Sequence, residues 1–180
     1  MDCLTAALAI AEASDNPSEI AHTMNVMAIS NLQRGNVEDA EPLYAEAERV
    51  ARIAGDEKLL AMIEQNMAVI ASMRGDVTTA LRHHQSSLDR YRALGLQEEL
   101  ARQLSNIGLA CYGLGRYEEA GTYYGEALDI ARACGDTWTR LMVEVNQVAL
   151  LIAQWDFDAA RVVCDRILLE AGAIQETRLI

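Results

Sequence analysis

Three asparagines recur at one spacing in this 180-residue chain: Asn66, Asn106 and Asn146, each forty residues after the last. A carboxamide carries both a donor and an acceptor, so it pairs with a peptide unit without demanding a particular side chain. That is recognition chemistry. The residues that could do covalent or metal chemistry are not arranged for it. His83 and His84 fall together and His22 stands alone, with no carboxylate or cysteine at metal-ligand spacing nearby. Cys3, Cys111, Cys134 and Cys164 form no CxxC pair and read as reduced, mostly buried side chains. No serine nucleophile elbow, phosphate-cradling glycine loop or paired acid set occurs. The acidic pairs at Glu98 and Glu118 read as solvated helix faces. The chain is therefore not read as an enzyme, and no metal or cofactor is expected.

The elements that position the asparagines follow from the same period. Ala40, Ala80, Ala120 and Ala160 stand in register, as do Gly35, Gly75 and Gly115, and then Gly55, Gly95 and Gly135. Even the first residues fit, since ALAIAEA from Ala7 lies 120 positions before ALDIARA from Ala127. A fixed period of this length marks a repeat architecture in which each unit buries its apolar face only by stacking on the next. Each repeat holds two helical stretches, an A and a B helix, with glycine at both turns where a helix ends in a left-handed residue. The expected series is a lone B helix at 2–14, then A/B pairs at 17–33/37–53, 57–73/77–93, 97–113/117–133 and 137–153/157–171. This makes one array over 1–180 with repeats 17–56, 57–96, 97–136 and 137–171, and with 172–180 as a tail or the start of a further helix. Asn36 and Asp76 are expected caps, with Asp39 three places past Asn36 in a capping-box-like spacing, and Pro17 suits a first helical position. The alanine row, with Ala28, Ala68 and Gly108 opposite, supplies the small surfaces that let two antiparallel helices approach.

Composition narrows the function classes. Hydrophobic residues make up 51% of the chain, with two prolines and eleven glycines, which disfavours disorder and β-rich folds. No apolar run reaches the roughly eighteen residues of a membrane helix, and the start lacks a signal pattern; a soluble cytoplasmic chain with no membrane contact is expected. The formal net charge of −12 repels nucleic acid.

The run NIGLACYGLGRYEEAGTYYGEAL from Asn106 to Leu128 resembles a tetratricopeptide repeat. Asn106, Gly108, Gly115, Tyr117, Ala120, Tyr124 and Ala127 stand where that motif has its asparagine, small residue, turn glycine, aromatics and alanines. NMAVIASMRGDVTTAL from Asn66 matches less fully. The forty-residue spacing is similar to a longer-helix subclass found in bacterial regulators and in scaffold and adaptor proteins. The resemblance implies an all-α fold, a right-handed α-solenoid of antiparallel helix pairs with about nine helices. Two departures, Trp155 for the turn glycine and Val148 for the small residue, imply that the fourth hairpin is the most irregular.

In this family the A helices line a concave groove, and an asparagine in mid-helix grips a peptide backbone. The resemblance thus implies a peptide-binding groove with Asn66, Asn106 and Asn146 as its ladder, or else amides that bond neighbouring backbone between repeats. The first repeat holds Val26 in that slot, with Asn25 beside it. The family register adds Met62, Arg102 and Met142 early in helix A, then Val69, Leu109 and Tyr112 after the asparagines. Such an apolar stripe suits an amphipathic helix or partly apolar peptide. Arg102 and Arg140 alone are too few basic residues for a carboxylate clamp.

The leading reading is a scaffold that binds a protein or peptide partner. The alternative is a ligand-sensing or oligomerisation region of a larger bacterial signalling or transcriptional regulator. The ends bear on the second reading. By the family register Val162, Val163 and Leu169 fall where B helices usually face solvent, with Arg82, Thr122, Arg49 and Asp129 among the matching positions. The tail adds Ile174, Leu179 and Ile180, and Leu4 and Leu8 sit on the unpaired first helix. Either a fragment of a longer protein or a homodimer through a terminal helix is expected from this pattern.

Overall fold

The structure is a computed structural model that describes the backbone of residues 2–177 and, Leu4 excepted, side chains from Cys3 to Glu170. Leu4, Ile174, Leu179 and Ile180 lie outside the described side chains. The described residues form nine helices and no strand: α1 (Asp2–Ala13), α2 (Pro17–Gln33), α3 (Val37–Ala54), α4 (Glu57–Met73), α5 (Val77–Leu94), α6 (Gln97–Gly113), α7 (Tyr117–Cys134), α8 (Thr137–Ala153) and α9 (Phe157–Thr177). The fold is an all-α helical-repeat solenoid. Even-numbered helices are the A helices and odd-numbered ones the B helices. Helix α9 runs on to Thr177, past the expected end at 171. The chain divides after Gly95 into two compact units, the first containing α1–α5 and the second α6–α9.

The expected irregularity of the fourth hairpin is absent from its turn. The A-to-B turns of the first three repeats place Gly35, Gly75 and Gly115 at φ of 81°, 76° and 73°, and Trp155 takes φ 63° in the same slot. The hydrogen bonds repeat as well. Gly115 N–H donates to Tyr112 O at 2.9 Å and Arg116 N–H to Cys111 O at 2.9 Å. Trp155 N–H donates to Ile152 O at 3.0 Å and Asp156 N–H to Leu151 O at 2.9 Å. A left-handed residue with a Cβ costs about 1–2 kcal/mol, so the repeat geometry outweighs the local preference of tryptophan.

Helix ends follow their capping residues. Asn16 Oδ1 accepts from Ser18 N–H ahead of Pro17, and Asp56 and Asp76 accept from Leu59 and Thr79 N–H at 3.0 Å. Asn36 makes no side-chain cap, so the capping box expected with Asp39 does not form. The Ser18 hydroxyl and then the Leu59 N–H hold the Asp56 carboxyl below its usual range, against the opposing effect of burial. The Thr79 N–H does the same for Asp76. A depressed folded-state pKa means stability that is present above the unfolded value of about 3.9 and lost as pH falls through the folded one. Asp56→Ala should cost about 0.5–2 kcal/mol at neutral pH. In chemical denaturation the gap from wild type should close below pH ~3, and a gap that persists there would refute a charged cap.

The alanine row is buried as its spacing requires: Ala40, Ala80 and Ala120 are wholly inaccessible, and Ala160 nearly so. On the facing A helices Ala28 and Ala68 are equally buried. At Gly108 a Cβ would lie 2.5 Å from Cε1 of the buried Tyr124 ring. The last repeat has Val148 and Cys164 in these two slots, both half-buried, so the larger A residue goes with the smaller B residue. Gly108→Ala should therefore lose about 1–3 kcal/mol to overpacking. Gly108→Val combined with Tyr124→Cys, which copies the last repeat, should be more stable in thermal melts than Gly108→Val alone. Gly121 and Gly125 mark no such approach: a Cβ at Gly121 meets only Leu150 at 3.6 Å, and one at Gly125 meets nothing.

Each unit buries one glutamate at the same register position. Glu64 in α4 accepts from the Ser86 hydroxyl at 2.8 Å and from Arg90 Nε at 3.1 Å. Glu144 in α8 is fully buried with Arg166 at 3.2 Å, Arg140 at 3.3 Å and Arg132 at 3.5 Å. Arg140 also pairs with Glu170, which leads the effects raising its pKa. Burial opposes the charge on Arg90, and the Glu64 and Glu57 carboxylates more than offset it.

The cysteines are free, and only Cys111 is buried; Cys3 and Cys134 are exposed, which corrects the expectation of mostly buried thiols. Both tryptophans of the second unit are largely exposed, Trp138 at 72% and Trp155 at 80%, with Trp155 edge-on to Phe157. No described helix is long and apolar enough to cross a membrane.

Candidate functional site

The A helices present their candidate residues at i, i+4 and i+7, a spacing that keeps side chains on one helical face. In the second unit these are Arg102, Asn106 and Leu109 on α6, and Met142, Asn146 and Ala149 on α8. The two helices pack together, and Asn146 Nδ2 donates to Ser105 Oγ at 3.4 Å across them. Leu109 is 49% exposed and Met142 44%, while Asn106 and Asn146 are half-buried between them. Arg102 is exposed, with its guanidinium 3.7 Å from Glu99. Tyr112 is half-buried one turn beyond Leu109, its ring 5.8 Å from that of Tyr117.

The first unit repeats the pattern with Met62, Asn66 and Val69 on α4, beside Val26 on α2. Val69 and Val26 are exposed, and Met62 is half-buried. Asn66 Nδ2 donates to Asn25 Oδ1 at 3.2 Å. Asn25 is fully buried, and its own Nδ2 has no partner among the described residues.

The three asparagines thus differ in duty. Asn66 and Asn146 each reach back to the preceding A helix, to the residue just before its own asparagine slot. Asn106 donates to Gln103 Oε1 within α6 at a long 3.4 Å. The inter-repeat bonds of Asn66 and Asn146 occupy one hydrogen on each amide and leave the rest of a half-exposed group. Sequence reasoning saw the row but not the partner slot, where Asn25 and Ser105 are both polar and both buried; that pairing was legible in the forty-one-residue offset.

Arg140, the second basic residue considered for a carboxylate, is consumed by Glu144 and Glu170. His84 is buried and His83 half-buried on α5; burial lowers the pKa of His83, with Arg82 beside it adding to the effect. Among the described residues no group of three histidine, cysteine or acidic side chains could hold a metal ion.

The family model for the tetratricopeptide repeat matches residues 59–133, which span α4 to α7. That stretch consists of tetratricopeptide repeats. No curated protein matches its sequence. Solved structures with the same fold include BtubC (BKLC) from P. vanneervenii, 25% identical with a TM-score of 0.80, covering 93% of this chain and 70% of that one. Aspartyl phosphate phosphatase F from Bacillus subtilis is 15% identical with a TM-score of 0.81, covering 88% of this chain and 42% of that one. The Rap conjugation gene regulator of the plasmid pLS20, solved with a Phr peptide, is 15% identical with a TM-score of 0.72 over 84% of this chain and 42% of its own. The repeats described here therefore correspond to less than half of either regulator-sized chain.

Proposed function

We propose that the A-helix faces bind an extended or helical peptide segment of a protein partner, as a scaffold rather than a catalyst. The observation that supports this most is the α6/α8 face. There, exposed Leu109 and Met142 flank two half-buried carboxamides, an apolar surface with convergent polar groups. Leu109 and Met142 would take apolar side chains of the segment, with methionine adapting its shape. Asn106 would pair with a peptide unit, and Arg102 would favour an acidic residue nearby. Met62, Asn66 and Val69 would do the same work in the first unit, and Tyr112 would extend the second-unit face. Repeats of this kind are typically non-enzymatic, and no side chain is assigned a catalytic role. A regulatory setting is the second reading, favoured by the likeness to a conjugation gene regulator solved with a peptide. There the bound segment would be a signal rather than a scaffolded partner.

The asparagines separate binding from stability. Asn106→Ala should weaken a peptide selected from a displayed library by about 1–3 kcal/mol, the cost of an unpaired buried polar group, with little change in melting. Asn66→Ala should instead destabilise the first unit by a similar ~1–3 kcal/mol, because Asn25 is left buried with neither end of its amide bonded. Unchanged affinity in Asn106→Ala and in a Leu109→Asp variant would remove the α6/α8 face from consideration.

A further inference from the structure

Helix α9 carries a stripe that the fold itself does not use. Val162, Asp165, Arg166 and Leu169 stand at i, i+3, i+4 and i+7, one face of the helix. Val162 is 64% exposed and Leu169 76%, and Asp165 and Arg166 are exposed between them. The expectation that Val163 also faces solvent is corrected, because that side chain is 9% exposed and belongs to the core. In α3 and α7 the slots of Val162 and Leu169 hold Pro42 and Arg49, and Thr122 and Asp129, all exposed although an A helix packs on each of those helices. A following A helix would by the same register leave this stripe uncovered. Leu168 is different: its counterparts Leu88 and Leu128 are 2% and 4% exposed where it is 69% exposed.

The order apolar, acid, base, apolar is its own complement when reversed. We propose that α9 pairs antiparallel with α9 of a second copy of this chain, about a two-fold axis midway between Asp165 and Arg166. Val162 then packs on Leu169 of the partner subunit, and Asp165 faces Arg166 of the partner subunit, each contact occurring twice. One step outward, the same symmetry sets the 75%-exposed Arg161 against Glu170 of the partner subunit. Within one chain Arg166 Nη2 already lies 3.2 Å from Glu144 and Glu170 pairs with Arg140. A guanidinium has five N–H donors and a carboxylate several acceptor sites, so both can serve a second partner. An isologous contact of this kind closes at two copies, and opposite charges at its centre fix the register and direction. The pairing is independent of peptide binding by the A helices.

The test is sedimentation velocity on the whole chain over a concentration series, with circular-dichroism melts to show that each variant folds. Wild type should reach a dimer and no larger species. Val162→Glu and Leu169→Lys should each weaken dimerisation about tenfold or more, since each puts a charge against an apolar side chain at two places. The two single variants mixed together should form a heterodimer more tightly than either forms a homodimer. The double variant should also dimerise better than either single one, because the antiparallel register sets its new acid opposite its new base. A wild type that stays monomeric at its solubility limit overturns the proposal. So does a dimer that neither substitution disturbs, or a double variant weaker than both singles.

Discussion

Replacing Glu144 with alanine is expected to cost the second unit about 3 kcal/mol, the low end of the 3–5 kcal/mol seen when one partner of a buried ion pair is removed. The carboxylate is fully inaccessible, and three guanidiniums converge on it. The discount comes from those arginines. Arg140, Arg166 and Arg132 keep 17%, 43% and 49% of their side-chain exposure, so each can turn partly to water once its acid is gone. Arg140 also retains Glu170. Since a domain commonly has only about 5–15 kcal/mol in all, the loss would be plain in a denaturant titration. Glu144→Gln should lose less, because an acceptor remains. Arg132→Ala should lose about 1 kcal/mol or less, as an exposed partner does. A Glu144→Ala variant as stable as wild type would mean that the arginines do not depend on the carboxylate.

Ala80→Arg is expected to be the most damaging single change in the first unit. The alanine has no accessible surface in α5, so an added side chain must displace packed neighbours, at about 1–3 kcal/mol for overpacking alone. The guanidinium then has to be desolvated with no acid provided for it, which adds several kcal/mol more. The result should be loss of the cooperative helical melt of that unit, read by circular dichroism on residues 1–95. An unchanged melting temperature would place Ala80 on the surface and break the forty-residue register on which the fold reading depends.

The register was the most legible part of this chain because it is written in backbone requirements. Small residues at Ala40, Ala80 and Ala120 and left-handed glycines at the turns tolerate little substitution, so the spacing shows directly where helices begin, end and touch. What the pattern concealed was compensation between slots. Trp155 looked disruptive because the sequence shows its intrinsic preference and not the turn hydrogen bonds that override it. Val148 looked oversized until Cys164 opposite was weighed with it. Asn25 and Asn66, or Glu144 and its arginines, lie on different helices, and only the packing brings them together. Val163 was misplaced by one step around α9. Its counterparts Leu43, His83 and Tyr123 are all half-buried, a trend that sequence alone does not display.

The exposed tryptophans give the second unit an optical signature of its own. Trp138 and Trp155 are the chain's two indoles, and both stand in the hairpin of α8 and α9. Selective excitation of tryptophan therefore reports on that unit and is blind to α1–α5. Because both rings already face water, their emission should lie near the unfolded position in the native state and shift little on denaturation. A blue shift on adding a peptide, or on raising protein concentration, would instead record an indole leaving water. That reads binding and assembly directly, in a channel nearly silent to unfolding.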